Sequence, residues 1–147
     1  SLIESAKRVS EHSFMIEEFL AREMKSGKIT VDDFLKEKKQ ILLHGHCHQK
    51  SLTNIEDAIW ALSLPEQHHV SLIPAGCCGM AGSFGYEKEH YELSEKIGNE
   101  ILFPFVRNMK DADALVACGF SCRHQIEHFT GKKAVHWVEL FEIEKSS

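Results

Sequence analysis

Apolar positions recur along this chain with two different periods, and the change of period divides it. Residues 2–36 read as amphipathic helix, with Phe14, Ile16, Phe19 and Leu20 as an apolar stripe and Gly27 as a stop. Thr30 followed by Asp33 predicts a capped start for a second short helix. Beyond them the apolar residues gather into short runs. Gln40–Leu43 predicts a buried strand that enters the polar string His44-Gly45-His46-Cys47-His48. Thr53 and Glu56 predict a capping box for a helix carrying Ile55, Ile59 and Leu62. Val70–Ile73 is a second expected strand, ended by Pro74, and a loop with glycines at 76, 79, 82 and 85 follows.

A long helix is expected next, with apolar positions at Tyr86, Leu93, Ile97, Ile101 and Phe105 and a kink or restart at Pro104. Ala114–Ala117 predicts a third strand. A helix over about Arg123–Phe129 closes at Gly131, and Ala134–Leu140 predicts a fourth strand. Strands alternating with helices imply an α/β fold: a single domain with a roughly four-stranded parallel sheet, crossover helices and an N-terminal helical extension. The expected boundary places the extension at residues 1–38 and the α/β domain at residues 39–147.

Composition narrows the classes. A chain of 147 residues, 43% apolar and 27% charged, has enough apolar material for a core and is not a disordered chain. Seventeen basic against 22 acidic residues, a net charge of −5, argue against nucleic acid as a partner. The Lys36–Lys39 stretch reads as a solvated helix end. No run of 18 apolar residues exists, so direct membrane insertion is not expected. No signal peptide is recognisable, and the expected location is cytoplasmic, at most peripheral to the inner membrane through partners. A start at Ser1 reads as a piece of a longer protein.

The cysteines carry the chemistry. Five is an odd count and two are adjacent, which does not fit a secreted disulfide framework. Cys47 follows the first expected strand, Cys77 and Cys78 the second, and Cys122 the third. All carboxyl ends of a parallel sheet point one way, and ligands of open α/β sheets bind outside them. Residues distant in sequence therefore converge. Soft thiolates select zinc, cuprous copper or iron–sulfur clusters, and a glycine-rich loop gives a bulky cluster room and backbone N–H donors. An iron–sulfur cluster is favoured, with zinc as the alternative. A catalytic thiol at Cys47, flanked by histidines, is a further reading, but it leaves the double cysteine unexplained. Cys118, ending a strand, is either a core residue or a further ligand. His44, His46 and His48 are ligands, supporting donors or loop residues, with His46 the possible ligand. The glycine loop lacks the spacing and lysine of a phosphate cradle.

Three segments resemble a known family: His46-Cys47-His48-Gln49-Lys50, Pro74-Ala75-Gly76-Cys77-Cys78-Gly79-Met80-Ala81-Gly82-Ser83-Phe84-Gly85 and Gly119-Phe120-Ser121-Cys122-Arg123. They are similar to the cysteine-rich "CCG" domain of the heterodisulfide reductase B subunit and of the iron–sulfur subunits of glycolate oxidase and anaerobic glycerol-3-phosphate dehydrogenase. The same domain ends large fused FAD-linked oxidases of D-lactate or D-2-hydroxyglutarate. The likeness covers about residues 40–142. It implies metal ligation by Cys47, Cys77, Cys78 and Cys122, with His44, His48, Gly76, Gly79, Gly82 and Arg123 around them. It implies an iron–sulfur cluster of the 4Fe–4S type, or zinc, in an electron-transfer domain. FAD is then expected on another domain, and the partners are FAD-binding and ferredoxin-like domains of the same protein or complex. The implied reaction is oxidation of a 2-hydroxy acid such as glycolate, D-lactate or D-2-hydroxyglutarate. A structural zinc module that docks the flavin domain is the alternative. Several relatives carry a Cys-x-x-Cys pair where this chain has Gly119 and Cys122.

Overall fold

The computed structural model describes residues 1–34, 36–110 and 114–141. Among them, β1 (Lys39–His44), β2 (His68–Leu72) and β3 (Ala114–Ala117) form a parallel sheet in the order β2-β1-β3. Ile41 of the central strand pairs with Val70 on one side and Ala114 on the other. The helices are α1 (Leu2–Glu11), α2 (Ile16–Lys25), α3 (Cys47–Leu52), α4 (Ile55–Leu62), α5 (Tyr91–Glu100), α6 (Leu102–Arg107) and α7 (Phe120–Thr130). The α/β class expected from the pattern is the class observed.

Successive strand residues face opposite ways, so both faces of the sheet need cover. Leu115 and Ala117 pack with Phe103, Val106 and Ile126 from α6 and α7. Ile41, Leu43 and Val116 pack on the other face with Ala58 and Leu62 of α4 and with Trp137. This two-sided burial explains why the strands read as short continuous apolar runs.

The expected fourth strand is corrected to a single bridge. Val135 pairs with Val116, donating to Leu115 O at 2.9 Å and accepting from Ala117 N at 3.0 Å. The chain then leaves the sheet as a 3-10 turn over Trp137–Leu140, because Glu139 Oε1 accepts from His136 N at 2.7 Å and curls the backbone. That turn sends Trp137 into the core, where it is 1% exposed.

Other boundaries also move. β2 opens two residues before the expected start at Val70, with His68 and His69 as its first residues. The Lys36–Lys39 stretch leads into β1 and is not a helix end. Asn54, not Thr53, caps α4 by accepting from Glu56 N at 3.0 Å, while the Thr53 hydroxyl donates to Gln49 O at the end of α3. The expected long helix begins only at Tyr91, after two 3-10 turns, and breaks at Ile101. Pro104 explains the break: it has no N–H, and in a continuous helix its ring would meet the carbonyl four residues earlier.

In α2 the face turned inward is Glu17, Leu20, Ala21 and Met24, the i, i+3, i+4, i+7 positions of one stripe. Leu20 alone of the expected stripe packs inward, and Phe14, Ile16 and Phe19 are exposed. No helix among the described residues is long and apolar enough to cross a membrane.

Candidate metal centre

Three loops leave the carboxyl edge of the sheet carrying cysteines. After β1 the chain passes Gly45 and His46 and enters α3, whose first residue is Cys47. After β2 it runs through Ile73–Gly76 to Cys77 and Cys78, and after β3 Cys118 and Gly119 lead into α7, with Cys122 in its first turn. From β1 the chain crosses to β2, whereas from β3 it crosses to Val135 on the opposite edge. The connections diverge between β1 and β3. Such a switch point opens a crevice in which α/β sheets bind ligands.

At that crevice lies a compact donor group: the ligand atoms of His44, Cys78 and Cys122 are all within 4.8 Å of one another. The three side chains are 0%, 3% and 1% exposed. Both ring nitrogens of His44 are buried without a hydrogen-bond partner. Leaving one such atom unpaired costs about 1–3 kcal/mol. Outward of this group sit the half-buried Cys77 and the exposed Cys47. His46, Cys47, His48, Cys78, Gly82 and Ser121 line a cleft of about 380 Å³ above it.

The thiols are electrostatically unlike. The Cys122 thiol, the strongest influence, hydrogen-bonds to Cys78 and holds it down to about 4 against the cost of burial; the His44 imidazole and the Met80 N–H act in the same sense. Cys122 is pushed far up in turn, first because its proton serves Cys78 and then by burial. The pair thus shares one proton and titrates as a unit. Burial raises Cys77, opposed by the Gly79 N–H, which donates to its Sγ at 3.3 Å. Cys118 is pushed up to about 12 by burial and by the nearby Glu17. It packs among the apolar residues on the α4 side of the sheet, outside the donor group.

The remaining expected site residues divide. Gly79 has φ +95°, and a Cβ there would lie 2.2 Å from Ser94 O, so the loop closes on α5 only with glycine. Gly119 is also a close approach: a Cβ would meet His46 Cδ2 at 2.6 Å and Cys122 Sγ at 3.1 Å. His46 therefore occupies the space beside Cys122 that a larger residue at 119 would need. Gly76 and Gly82 have open space around them. The His46 ring stacks on the exposed His48 with centroids 6.2 Å apart. Arg123 donates to Ala117 O at 2.9 Å and to Cys118 O at 2.8 Å, tying α7 to the end of β3.

Two supports escape sequence reasoning. Lys50 Nζ donates to Ala75 O at 2.8 Å and anchors α3 to the double-cysteine loop. Gln125 Nε2 donates to Ser94 Oγ at 2.7 Å in the core and joins α7 to α5. Lys50 stands in the His-Cys-His-Gln-Lys string, a usable hint; Ser94 has none.

Comparison with known proteins returns oxidoreductases. The chain is 26% identical over 136 residues to a subunit of the anaerobic glycerol-3-phosphate dehydrogenase of Escherichia coli K12, covering 91% of this chain and 33% of that protein. It is 31% identical over 103 residues to D-2-hydroxyglutarate dehydrogenase of the same organism, covering 69% of this chain and 10% of that protein. It is also 37% identical over 65 residues to D-2-hydroxyglutarate dehydrogenase of Pseudomonas putida KT2440, covering 44% and 6%. The chain thus spans a third or less of these curated relatives. No family model matches it, and no solved structure matches it.

Proposed function

We propose that this chain is an electron-transfer domain of a larger FAD-linked dehydrogenase, built around a soft-metal centre held by Cys78 and Cys122 with Cys47 and Cys77. The observation that carries the proposal is the compact group of His44, Cys78 and Cys122, whose cysteines come from two different loops at the carboxyl edge of the sheet. The donor chemistry fits such a group: a buried thiol pair that shares one proton, beside an imidazole with unpaired nitrogens. An iron–sulfur cluster bound there supplies a one-electron relay.

The relatives' names point to dehydrogenation of small anionic alcohols, D-2-hydroxyglutarate and glycerol 3-phosphate. A 2-hydroxy acid such as D-2-hydroxyglutarate is the substrate class proposed for the whole protein. A flavin on another domain would take the two electrons and accompanying protons of the hydroxy acid's oxidation, and a cluster held by Cys47, Cys77, Cys78 and Cys122 would supply one-electron transfer. This chain's part is positional. It keeps its inner thiols dry, presents Cys47 to the surface, and grips the double-cysteine loop through Lys50 and Gly79. The proposal also includes the division into an extension, residues 1–38, and the cysteine-bearing domain, residues 39–147.

A second reading has its own support. Tetrahedral zinc, with bonds of about 2.0–2.3 Å, holds its ligand atoms less than about 4 Å apart. A donor group confined within 4.8 Å suits one ion better than a cluster. In that reading the site is a structural zinc that docks the flavin domain.

A stepwise dithionite titration of the anaerobically purified chain separates the two. Visible absorbance that bleaches on reduction and returns on reoxidation supports the relay. A colourless chain with bound zinc rejects the relay and leaves the docking module.

A further inference from the structure

His44 sits at the last position of β1, 0% exposed, with Nδ1 and Nε2 both unpaired. A neutral imidazole has one N–H to donate and one lone pair to offer, and here neither makes a well-formed hydrogen bond. Burying both without compensation is expensive for a strand end in the middle of a sheet. Its neighbours in the donor group are the sulfurs of Cys78 and Cys122, all ligand atoms lying within 4.8 Å of one another. A hydrogen-bonding core histidine normally finds a carbonyl or carboxylate, as His68 does with Leu62 O at 3.0 Å. His44 finds sulfur atoms and nothing else.

From this we infer that the His44 imidazole is itself a metal ligand, so that the centre has a mixed nitrogen and sulfur donor set: His44, Cys78 and Cys122. The inference rests on the metal-centre reading above and names the residue that reading leaves out. His46 stands outside that group. It lines the cleft, stacks on His48 and abuts Gly119. The fixed strand end accounts for the choice: His44 pairs with Ala117 in the sheet register, which pins its backbone at the floor of the crevice. His46 lies beyond the strand at the entry to α3.

A nitrogen ligand has chemical consequences. Imidazole is neutral where a thiolate is negative, so the bound group carries one charge fewer. Histidine in place of cysteine raises the potential of an iron–sulfur centre. It also suits a single zinc, for which mixed cysteine and histidine sets are common.

The test uses cobalt(II) as the probe, added anaerobically to the full chain and to His44→Ala, His44→Cys and His46→Ala variants, with far-UV circular dichroism as the check on folding. Wild type is expected to show thiolate-to-cobalt charge transfer together with intense d–d bands. His44→Ala should lose more than about a hundredfold in cobalt affinity, beyond the ~10–100-fold cost of removing a group that merely supports a ligand. His44→Cys should recover binding with stronger charge transfer, and His46→Ala should bind as wild type does. A second measurement on the wild-type chain needs no folded variant. Pulsed EPR of the cobalt form labelled with nitrogen-15 histidine should show a directly coordinated nitrogen. Unchanged cobalt affinity and spectrum in His44→Ala, or no coordinated nitrogen in the labelled wild type, overturns the assignment of His44 alone. A wild type that takes up no cobalt, zinc or iron overturns the metal-centre reading with it.

Discussion

Glu17 of α2 accepts a hydrogen bond from Nε2 of Gln49 in α3, and both side chains are buried, at 1% and 2% exposure. The contact joins the N-terminal helices to the helix that begins at Cys47. Gln49 Oε1 is left unpaired. The N-terminal segment therefore contributes a polar grip as well as apolar packing through Leu20 and Met24.

Removing one partner of this buried pair strands the other. Gln49→Leu should destabilise the chain by about 1–3 kcal/mol. Glu17→Leu combined with Gln49→Leu should cost less than Gln49→Leu alone, because no buried polar group is then left unpaired. Urea unfolding followed by circular dichroism checks both. A double variant that is less stable than Gln49→Leu would contradict the account.

Thiol reactivity should be ranked. In the reduced, metal-free chain, iodoacetamide at mildly alkaline pH should label the exposed Cys47 readily, the partly covered Cys118 slowly, since its thiol is pushed up to about 12, and the buried Cys122, pushed up further still, last. Cobalt or zinc should then protect Cys78 and Cys122 and leave the Cys118 rate unchanged. Peptide mass spectrometry resolves the five sites. Protection of Cys118 by metal would bring it into the centre.

Two glycines in one loop should answer differently to the same change. Gly79→Ala forces a side chain into a φ of +95° and against Ser94 O, and it disturbs the N–H that serves Cys77. A loss of more than about 2 kcal/mol and weaker metal binding are expected. Gly76→Ala meets nothing within 4 Å and should change stability by less than about 0.5 kcal/mol. Equal effects in the two variants would contradict this reading of the loop.

Acid should weaken the fold through its histidines. Burial, the largest influence at each, holds His68 and His136 below the usual value near 6.5. The unfolded chain then binds protons that the folded chain refuses. Stability is full above about 6.5 and declines as pH falls through that value toward the depressed folded values. His68→Phe should flatten the decline in melting temperature between about pH 6.5 and pH 5. An unaltered decline would remove His68 from the explanation.

The parallel sheet and the gathering of Cys78 with Cys122 were readable because short apolar runs each ended in a cysteine loop. The fourth strand was not. Ala134–Leu140 has strand-like content, but the Glu139 carboxylate captures His136 N and turns the backbone after one bridge. Neither was the place of Glu17, since nothing in an amphipathic pattern marks a carboxylate as the inward residue when Phe14 and Phe19 stand beside it. The inner position of His44 against the outer position of His46 depends on where β1 ends and α3 starts. Boundaries of that kind are set by tertiary contacts, beyond the reach of local pattern.

The most direct measurement is an anaerobic count of iron, zinc and acid-labile sulfide per chain in wild type, Cys78→Ser and Cys118→Ser. A sulfur-held metal between Cys78 and Cys122 requires bound metal in wild type and in Cys118→Ser, and its loss in Cys78→Ser. Metal retained undiminished in Cys78→Ser, or none in the wild-type chain, would contradict it.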